Sequence, residues 1–91
     1  MWYSYIIRSQ SEPTQEYIGA TGDLKRRLQD HNAMKSSHTS KYVPWELMWY
    51  CAFPTKVQAL EFEKYLKSHS GRAFSKKRLL KNPLDESSSI S

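Results

Sequence analysis

Two short runs of aromatic and β-branched residues open the chain, and a stretch of turn-forming residues separates them. The runs span residues 2–8 and 16–19, and both have the composition of β-strands. Residues 9–14, which lie between them, include two Ser, Pro13 and Thr14, and this composition favours a turn. The two runs are therefore predicted to form an antiparallel hairpin, which any fold of this chain has to contain.

A helix is predicted from about residue 23 to 32, because Thr21, Gly22 and Asp23 supply a bend and candidate N-caps before an apolar stripe. Residues 33–44 have neither helical nor strand periodicity, so we expect a loop there that can carry a substrate contact. Residues 46–53 form a third apolar run bounded by prolines. We interpret this run as the central strand of a three-stranded sheet.

A second helix is predicted through about residue 68, because Thr55 and Gln58 match a capping box. Gly71 is a plausible stop for it, and residues 72–81 form a basic segment with apolar residues that can dock as a last short helix. The predicted class is α+β: a small three-stranded antiparallel sheet flanked by helices.

The chain has 91 residues, of which 38% are hydrophobic and 13% aromatic. This length supports one core and not two. We expect one domain over residues 1–82, and a flexible tail over residues 83–91 that begins at Pro83 and is rich in Ser.

The chain is basic, with 14 Lys and Arg against 9 Asp and Glu and a net charge of +5. Such a charge favours a polyanionic partner through neutralisation of phosphates. A solvated basic surface with no such partner is the alternative explanation from charge alone.

Cys51 is the only cysteine, which excludes an intramolecular disulfide and a tetrahedral thiolate zinc site. There is no secretory signal pattern, and no apolar run approaches the length of about 20 residues that spans a bilayer. We therefore expect a cytoplasmic protein in a reducing compartment, without membrane contact.

Three polar side chains lie at the edges of predicted apolar stripes. Arg27 and His31 are four residues apart on the first helix, so they are neighbours that can border a cleft over the sheet. Glu63 projects from the apolar side of the second helix. A half-buried carboxylate requires a partner, and the sequence offers Arg27 or a divalent cation.

The order of these motifs resembles the GIY-YIG nuclease family, particularly its small stand-alone bacterial members. The resemblance covers residues 2–80 and rests on Tyr3-Ser-Tyr5, Tyr17-Ile-Gly19, Arg27, His31, residues 39–42, Pro44-Trp45, and the helix segment 59–63 that ends at Glu63. The first motif lacks both Gly and Ile, and Met34 stands where many relatives have Gly.

The resemblance implies metal-dependent hydrolysis of phosphodiester bonds in DNA. Glu63 would hold one Mg²⁺ or Mn²⁺, with waters completing the shell, and Arg27 would brace the phosphate. Either Tyr5 or Tyr17 would activate the attacking water, helped by a phenolic pKa that Arg27 and the metal lower. His31 is a second proton-transfer candidate, because an unperturbed histidine has a pKa of about 6.5.

Basic residues outside this centre are expected to contact DNA phosphates, which position the substrate without specifying its sequence. They fall into two groups: Lys25, Arg26, Lys35 and Lys41 in the first half of the chain, and Arg72, Lys76, Lys77 and Arg78 near its end. Three further aromatic residues, Trp45, Trp49 and Tyr50, either stack on single-stranded bases or, as we favour, belong to the core.

The absence of an evident recognition module predicts a preference for DNA structure or single strands rather than for a long sequence. Two alternatives stay open at this point. The domain either binds nucleic acid without turnover, or serves as a subunit that needs a protein partner.

Overall fold

The N-terminal hairpin supplies two strands of a three-stranded antiparallel sheet. In the computed structural model, which describes residues 1–80, strand β1 spans Trp2–Ser9, β2 spans Glu16–Thr21 and β3 spans Trp45–Phe53. The order β2-β1-β3 confirms the sheet but shows that the central position predicted for the third strand was wrong. The strand β1 is central, because β3 pairs with the edge of β1 that β2 leaves open.

The helices begin at the caps that the sequence predicts. Helix α1 spans Leu24–Asn32, and its N-cap Asp23 accepts a hydrogen bond from the backbone N–H of Arg26. Helix α2 spans Lys56–Lys67, and the Thr55 hydroxyl accepts from the backbone N–H of Gln58. No helix within residues 1–80 is long and apolar enough to cross a membrane.

The predicted loop over residues 33–44 contains a short 3-10 helix, Ser40–Tyr42. At its start, Met34 has a φ of 62°, which lies in the left-handed region that glycine adopts at little cost. Methionine thus occupies a glycine-like backbone conformation at this position.

The last helix begins earlier than the sequence predicts. Helix α3 spans His69–Arg78, so Gly71 lies inside it and does not act as a stop. The break falls at Ser68, whose extended backbone separates α2 from α3 and whose hydroxyl caps Gly71 N–H. A Cβ at Gly71 would collide with the carbonyl oxygen of Tyr65, so glycine is required for the close approach of the two helices. The predicted tail, residues 83–91, lies outside the described residues.

The central strand has both faces covered, because successive residues point to opposite sides of a sheet. Tyr5 and Ile7 pack with Trp45 on the side of α1, together with half-buried Leu24 and Leu28. On the opposite side, the buried hydroxyl of Ser4 donates a 2.7 Å hydrogen bond to the carbonyl of Ala59 in α2. The two faces of β1 therefore position the two helices that carry the polar residues of interest.

Candidate active site

The two tyrosines of the hairpin meet where β1 and β2 pair. Tyr5 lies opposite Gly19, and its ring centroid is 6.3 Å from that of Tyr17. The Tyr5 ring passes over Gly19 so closely that a Cβ there would be 2.5 Å from the phenolic oxygen. The missing side chain of Gly19 thus allows the Tyr5 hydroxyl to reach the edge of the sheet.

His31 lies beneath this edge and links two segments of the chain. Its Nε2 is 2.9 Å from the Tyr5 hydroxyl, and its Nδ1 is 2.9 Å from the Thr39 hydroxyl. The imidazole is completely buried, and its ring centroid lies 4.9 Å from that of Tyr17. Thr39 is held in turn by Trp45, whose indole N–H donates to the Thr39 carbonyl. Loop residue Thr39 therefore fixes the orientation of His31, a role the sequence did not reveal.

Arg27 brings a positive charge to the same place. It lies one helical turn before His31 and interacts with the hydroxyls of Tyr5 and Tyr17. The interaction with Tyr5 is the main reason that the pKa of the guanidinium is raised further above its ordinary value. Arg27 is thus a permanent cation beside both phenols.

Arg27 acts to lower the pKa of Tyr5, as expected, but its effect does not prevail. Burial raises the pKa of Tyr5 to about 12 and outweighs the opposing effect of Arg27. Tyr5 is therefore a neutral phenol at physiological pH. This result disfavours Tyr5, of the two tyrosines, as a base.

The expectation that His31 titrates near neutrality is wrong. Burial, followed by the positive charge of Arg27, lowers the pKa of His31 to about 4. The imidazole is neutral at pH 7, so one ring nitrogen donates a hydrogen bond and the other accepts one. His31 thus joins the Tyr5 and Thr39 hydroxyls in a continuous hydrogen-bonded chain.

Glu63 reaches this centre from α2, on the other side of the sheet. Its negative charge contributes to the raised pKa of Tyr5, and only 18% of its side chain is exposed. The carboxylate accepts a 2.9 Å hydrogen bond from Lys67, one turn further along the helix. The partners expected of a catalytic Glu63 were Arg27 or a metal, whereas the observed pair with Lys67 is a structural pairing of Glu and Lys four residues apart on a helix.

Glu63 is a single half-buried carboxylate, which suits one hard divalent cation that retains most of its water. Within residues 1–80 no group of three or more His, Cys, Asp or Glu side chains could hold a metal together. Mg²⁺ is commonly bound by one or two carboxylates, with waters and phosphate oxygens as the other ligands. The Lys67 ammonium, 2.9 Å from this carboxylate, occupies the place that such a cation would take.

The five residues predicted as catalytic lie on four different elements, and the charge of Glu63 acts on Tyr5 from α2. Tyr5 and Tyr17 come from the hairpin, Arg27 and His31 from α1, and Glu63 from α2. Elements on both faces of the sheet meet at the edge formed by β2. The arrangement combines a carboxylate, a cation and hydroxyls, which are the groups that phosphodiester hydrolysis requires.

The predicted DNA-contacting residues lie on two sides of this centre. Lys25, Arg26, Lys35 and Lys41 are exposed on α1 and the following loop, and Lys35 is also 3.5 Å from Asp30. On α3, Arg72 and Lys76 line a cleft beside Tyr17, whereas Lys77 and Arg78 are exposed but do not line it.

The three aromatic residues of β3 differ in exposure. Trp45 is buried and Trp49 packs against Phe62, with 5.7 Å between ring centroids, so both belong to the interior. Tyr50 is 53% exposed and lines a groove with Tyr3 and Lys25. Of the three, Tyr50 is thus the ring available for stacking.

A family model for the GIY-YIG catalytic domain matches residues 1–78. The chain belongs to this family. The resemblance seen in the motifs is thereby confirmed, and nucleases of the GIY-YIG family generally depend on a divalent metal ion.

Curated relatives share the domain but are much longer proteins. The chain is 38% identical over 77 residues to the structure-specific endonuclease subunit SLX1 of Malassezia globosa, covering 79% of this chain and 17% of the relative. It is also 38% identical over 65 residues to the SLX1 homolog of Giardia intestinalis, covering 67% of this chain and 18% of that protein. The chain spans less than a fifth of these relatives.

A solved structure of similar size shares the fold. The solution NMR structure of the UPF0213 protein BH0048 from Bacillus halodurans matches with a TM-score of 0.52 and 26% identity. The match covers 100% of this chain and 98% of that one. The α+β fold with its three-stranded antiparallel sheet, as predicted from the sequence, is thus confirmed.

Proposed function

We propose that this GIY-YIG chain is a divalent-metal-dependent endonuclease that hydrolyses phosphodiester bonds in DNA. The observation that carries the proposal is the convergence of Tyr5, Tyr17, Arg27, His31 and Glu63 at one edge of the sheet. The relatives named structure-specific endonuclease subunits support a preference for DNA structure or single strands over a long sequence.

Arg27 binds the scissile phosphate. Its planar fork of N–H donors suits two phosphate oxygens, and its charge offsets the negative charge that grows in the transition state. Its charge lies near the two tyrosine hydroxyls, so the phosphate would be bound next to the phenols.

Tyr17 positions the attacking water and is the better placed of the two tyrosines to accept its proton. It is half-buried and lines the cleft at the edge of the sheet, so it is open to substrate. Tyr5 is 1% exposed, has a pKa of about 12 and bonds to His31. Tyr5 therefore orients Arg27 and His31 and keeps its own proton.

Glu63 is the residue that holds the cation, Mg²⁺ or Mn²⁺. When bound, the ion supplies Lewis acidity to the phosphate and to the leaving oxygen. The Glu63 carboxylate is half-buried on α2, whereas the side chain of its partner Lys67 is more than half exposed. The Lys67 ammonium can therefore leave Glu63 without disturbing the core.

His31 keeps the tyrosine hydroxyl in one orientation. Its Nδ1 is hydrogen-bonded to the Thr39 hydroxyl, and its Nε2 is hydrogen-bonded to the Tyr5 hydroxyl. Because its pKa is lowered to about 4, a neutral imidazole performs this task, and a direct role for it as a proton donor at neutral pH is disfavoured.

DNA is held on both sides of this centre by the exposed cations of α1 with its loop and by those of α3. These are Lys25, Arg26, Lys35 and Lys41 on one side, and Arg72, Lys76, Lys77 and Arg78 on the other. With phosphate contacts of this kind, the affinity for DNA decreases as the salt concentration rises, and the contacts do not depend on the base sequence.

We propose the small bacterial type of this family, because the match covers 98% of the Bacillus halodurans protein. A cytoplasmic location is proposed on the absence of any cysteine that Cys51 could pair with. A second candidate is a nuclease subunit that needs a protein partner, because the curated relatives are named as subunits.

The test is metal-dependent cleavage of labelled single-stranded, duplex and branched DNA. Wild type is compared with Glu63→Gln and with the matched control Glu61→Gln, an exposed glutamate on the same helix. We expect Glu63→Gln to lose cleavage by two orders of magnitude or more, on the order of a lost metal contact, and Glu61→Gln to retain it. Circular dichroism verifies that each variant is folded.

Three outcomes separate the candidates. Cleavage that vanishes only in Glu63→Gln supports the nuclease. Binding without cleavage on every DNA supports the partner-dependent subunit or a binding module. Equal cleavage by wild type and Glu63→Gln contradicts the assigned role of Glu63.

A further inference from the structure

A cleft of about 320 Å³ opens beside Tyr17, between the edge of β2 and helices α2 and α3. Ile6, Ile18 and Leu80 form apolar parts of its wall. Three cationic side chains, Lys67, Arg72 and Lys76, also line it. The cleft thus joins the candidate active site to the basic helix α3.

The charge of this cleft is positive and largely uncompensated. Within residues 1–80, the one acidic residue that lines it is Glu16, whose carboxylate forms a 2.8 Å ion pair with Arg8. Among residues 1–80, neither Arg72 nor Lys76 forms an ion pair with a carboxylate. Two unpaired cations four residues apart on one helix face repel each other unless an anion lies between them.

The cationic side chains are also partly positioned in advance. The Nε–H of Arg72 donates to the backbone carbonyl of Lys67, at 3.2 Å, across the junction of α2 and α3. The Lys67 side chain is 51% exposed and lines the cleft, and its ammonium is 2.9 Å from the Glu63 carboxylate. Lys67 is therefore within reach of both the candidate metal ligand and the cleft.

We propose that this cleft is a subsite for a phosphodiester group of the substrate strand, next to the phosphate that is cleaved. In this arrangement Lys67 is the positioning residue that leaves the Glu63 carboxylate and turns to the phosphate in the cleft. The inference rests on the proposed function, because a DNA strand is what places one phosphate at Arg27 and a neighbouring one in the cleft.

The first test measures binding, which does not depend on turnover. Fluorescence anisotropy with labelled single-stranded and branched DNA, in EDTA and over a range of salt, gives the slope of log K against log salt. We expect Lys67→Met and Lys76→Gln each to lower this slope by about 1, the value for one lost phosphate contact. The control Lys64→Met, an exposed lysine on α2 outside the cleft, should keep the wild-type slope.

The binding result decides the subsite. Slopes for Lys67→Met and Lys76→Gln that equal the wild-type slope would overturn it. If these slopes are unchanged and inorganic phosphate still binds to the wild type but not to the cleft variants, the cleft is a site for a free anion, which would also overturn the proposal.

The second test measures the exchange of Lys67 without substrate. Mn²⁺ binding followed by electron paramagnetic resonance should be several-fold tighter in Lys67→Met, because no ammonium competes for Glu63. Lys64→Met should bind Mn²⁺ as the wild type does. Equal Mn²⁺ affinity in Lys67→Met and wild type would refute the exchange.

These readouts separate the subsite from the nuclease proposal. A wild type that cleaves no DNA, with slopes that still fall in the cleft variants, defeats the proposed activity and supports the subsite. Cleavage by the wild type with unchanged slopes supports the activity and defeats the subsite.

Discussion

Replacing Gly19 by alanine should disable the candidate site by displacing Tyr5. The new Cβ would lie 2.5 Å from the Tyr5 hydroxyl oxygen, whereas an ordinary contact requires about 3.4 Å or more. The phenol must therefore move by roughly 0.9 Å. A misplacement of about 1 Å costs on the order of 100-fold in rate, so we expect a loss of cleavage of this size.

The same displacement should lower stability moderately. The Tyr5 hydroxyl is 2.9 Å from the buried His31, and a shift of that size weakens this hydrogen bond. Overpacking in a tight interior lowers the free energy of unfolding by about 1–3 kcal/mol. In a domain of this size, each kcal/mol lowers Tm by roughly 4–8 °C. No glycine within residues 1–80 has a positive φ, so the effect of alanine at Gly19 is steric.

The assay is initial-rate cleavage together with thermal denaturation. Gly22→Ala is the matched control, because its Cβ would lie 3.3 Å from the Trp2 ring and needs only a small adjustment. A folded Gly19→Ala protein that cleaves within threefold of the wild type would refute the argument that the position of the Tyr5 hydroxyl matters.

Three further predictions concern single residues. Tyr5→Phe should lower stability by about 1–3 kcal/mol because buried His31 loses a hydrogen-bond partner. Tyr17→Phe should leave Tm nearly unchanged and reduce the cleavage rate. A large loss of stability in Tyr17→Phe and a loss of rate alone in Tyr5→Phe would reverse the assigned roles. Folding lowers the pKa of His31 from 6.5 to about 4, so the unfolded state binds more protons between these pH values. The free energy of unfolding should therefore decrease by up to roughly 3 kcal/mol as pH falls from 6.5 to 4. Urea titrations of His31→Gln should show a flatter pH dependence of stability, and the same pH dependence as in the wild type would contradict the assignment. Met34→Gly should stabilise the fold by about 0.5–1 kcal/mol, since the left-handed backbone costs a non-glycine residue about 1–2 kcal/mol and glycine loses part of that gain to chain entropy; a lower Tm in calorimetry would count against it.

Local chemistry explains what the sequence predicted well. Asp23 and Thr55 act as N-caps through hydrogen bonds to residues three positions away, so short-range patterns suffice to place the starts of α1 and α2. The hairpin likewise follows from two strand-like runs and the turn between them. The five residues predicted as catalytic were chosen because the order of the motifs resembles a family, and their catalytic role stays a prediction.

Long-range packing explains what the sequence predicted badly. The composition of residues 46–53 is that of a buried strand, yet which strand lies in the middle depends on how β3 pairs with β1. Gly71 has the local signature of a helix stop, but its real constraint is the nearby carbonyl of Tyr65. The pKa values of Tyr5 and His31 depend on burial, which a sequence pattern does not specify.

The hydrogen bond from Ser4 to Ala59 has a consequence for how this domain tolerates change. Ser4 precedes Tyr5 on the central strand, and Ala59 lies one helical turn before Glu63 on α2. Tyr5 and Glu63, which lie far apart along the chain, are thus aligned by the contact between Ser4 and Ala59. Loops between Ser4 and Ala59 that lack a site contact can gain or lose residues without altering the distance from tyrosine to glutamate. Length variation among homologues is accordingly expected in such loops, while the spacings Ser4 to Tyr5 and Ala59 to Glu63 stay fixed.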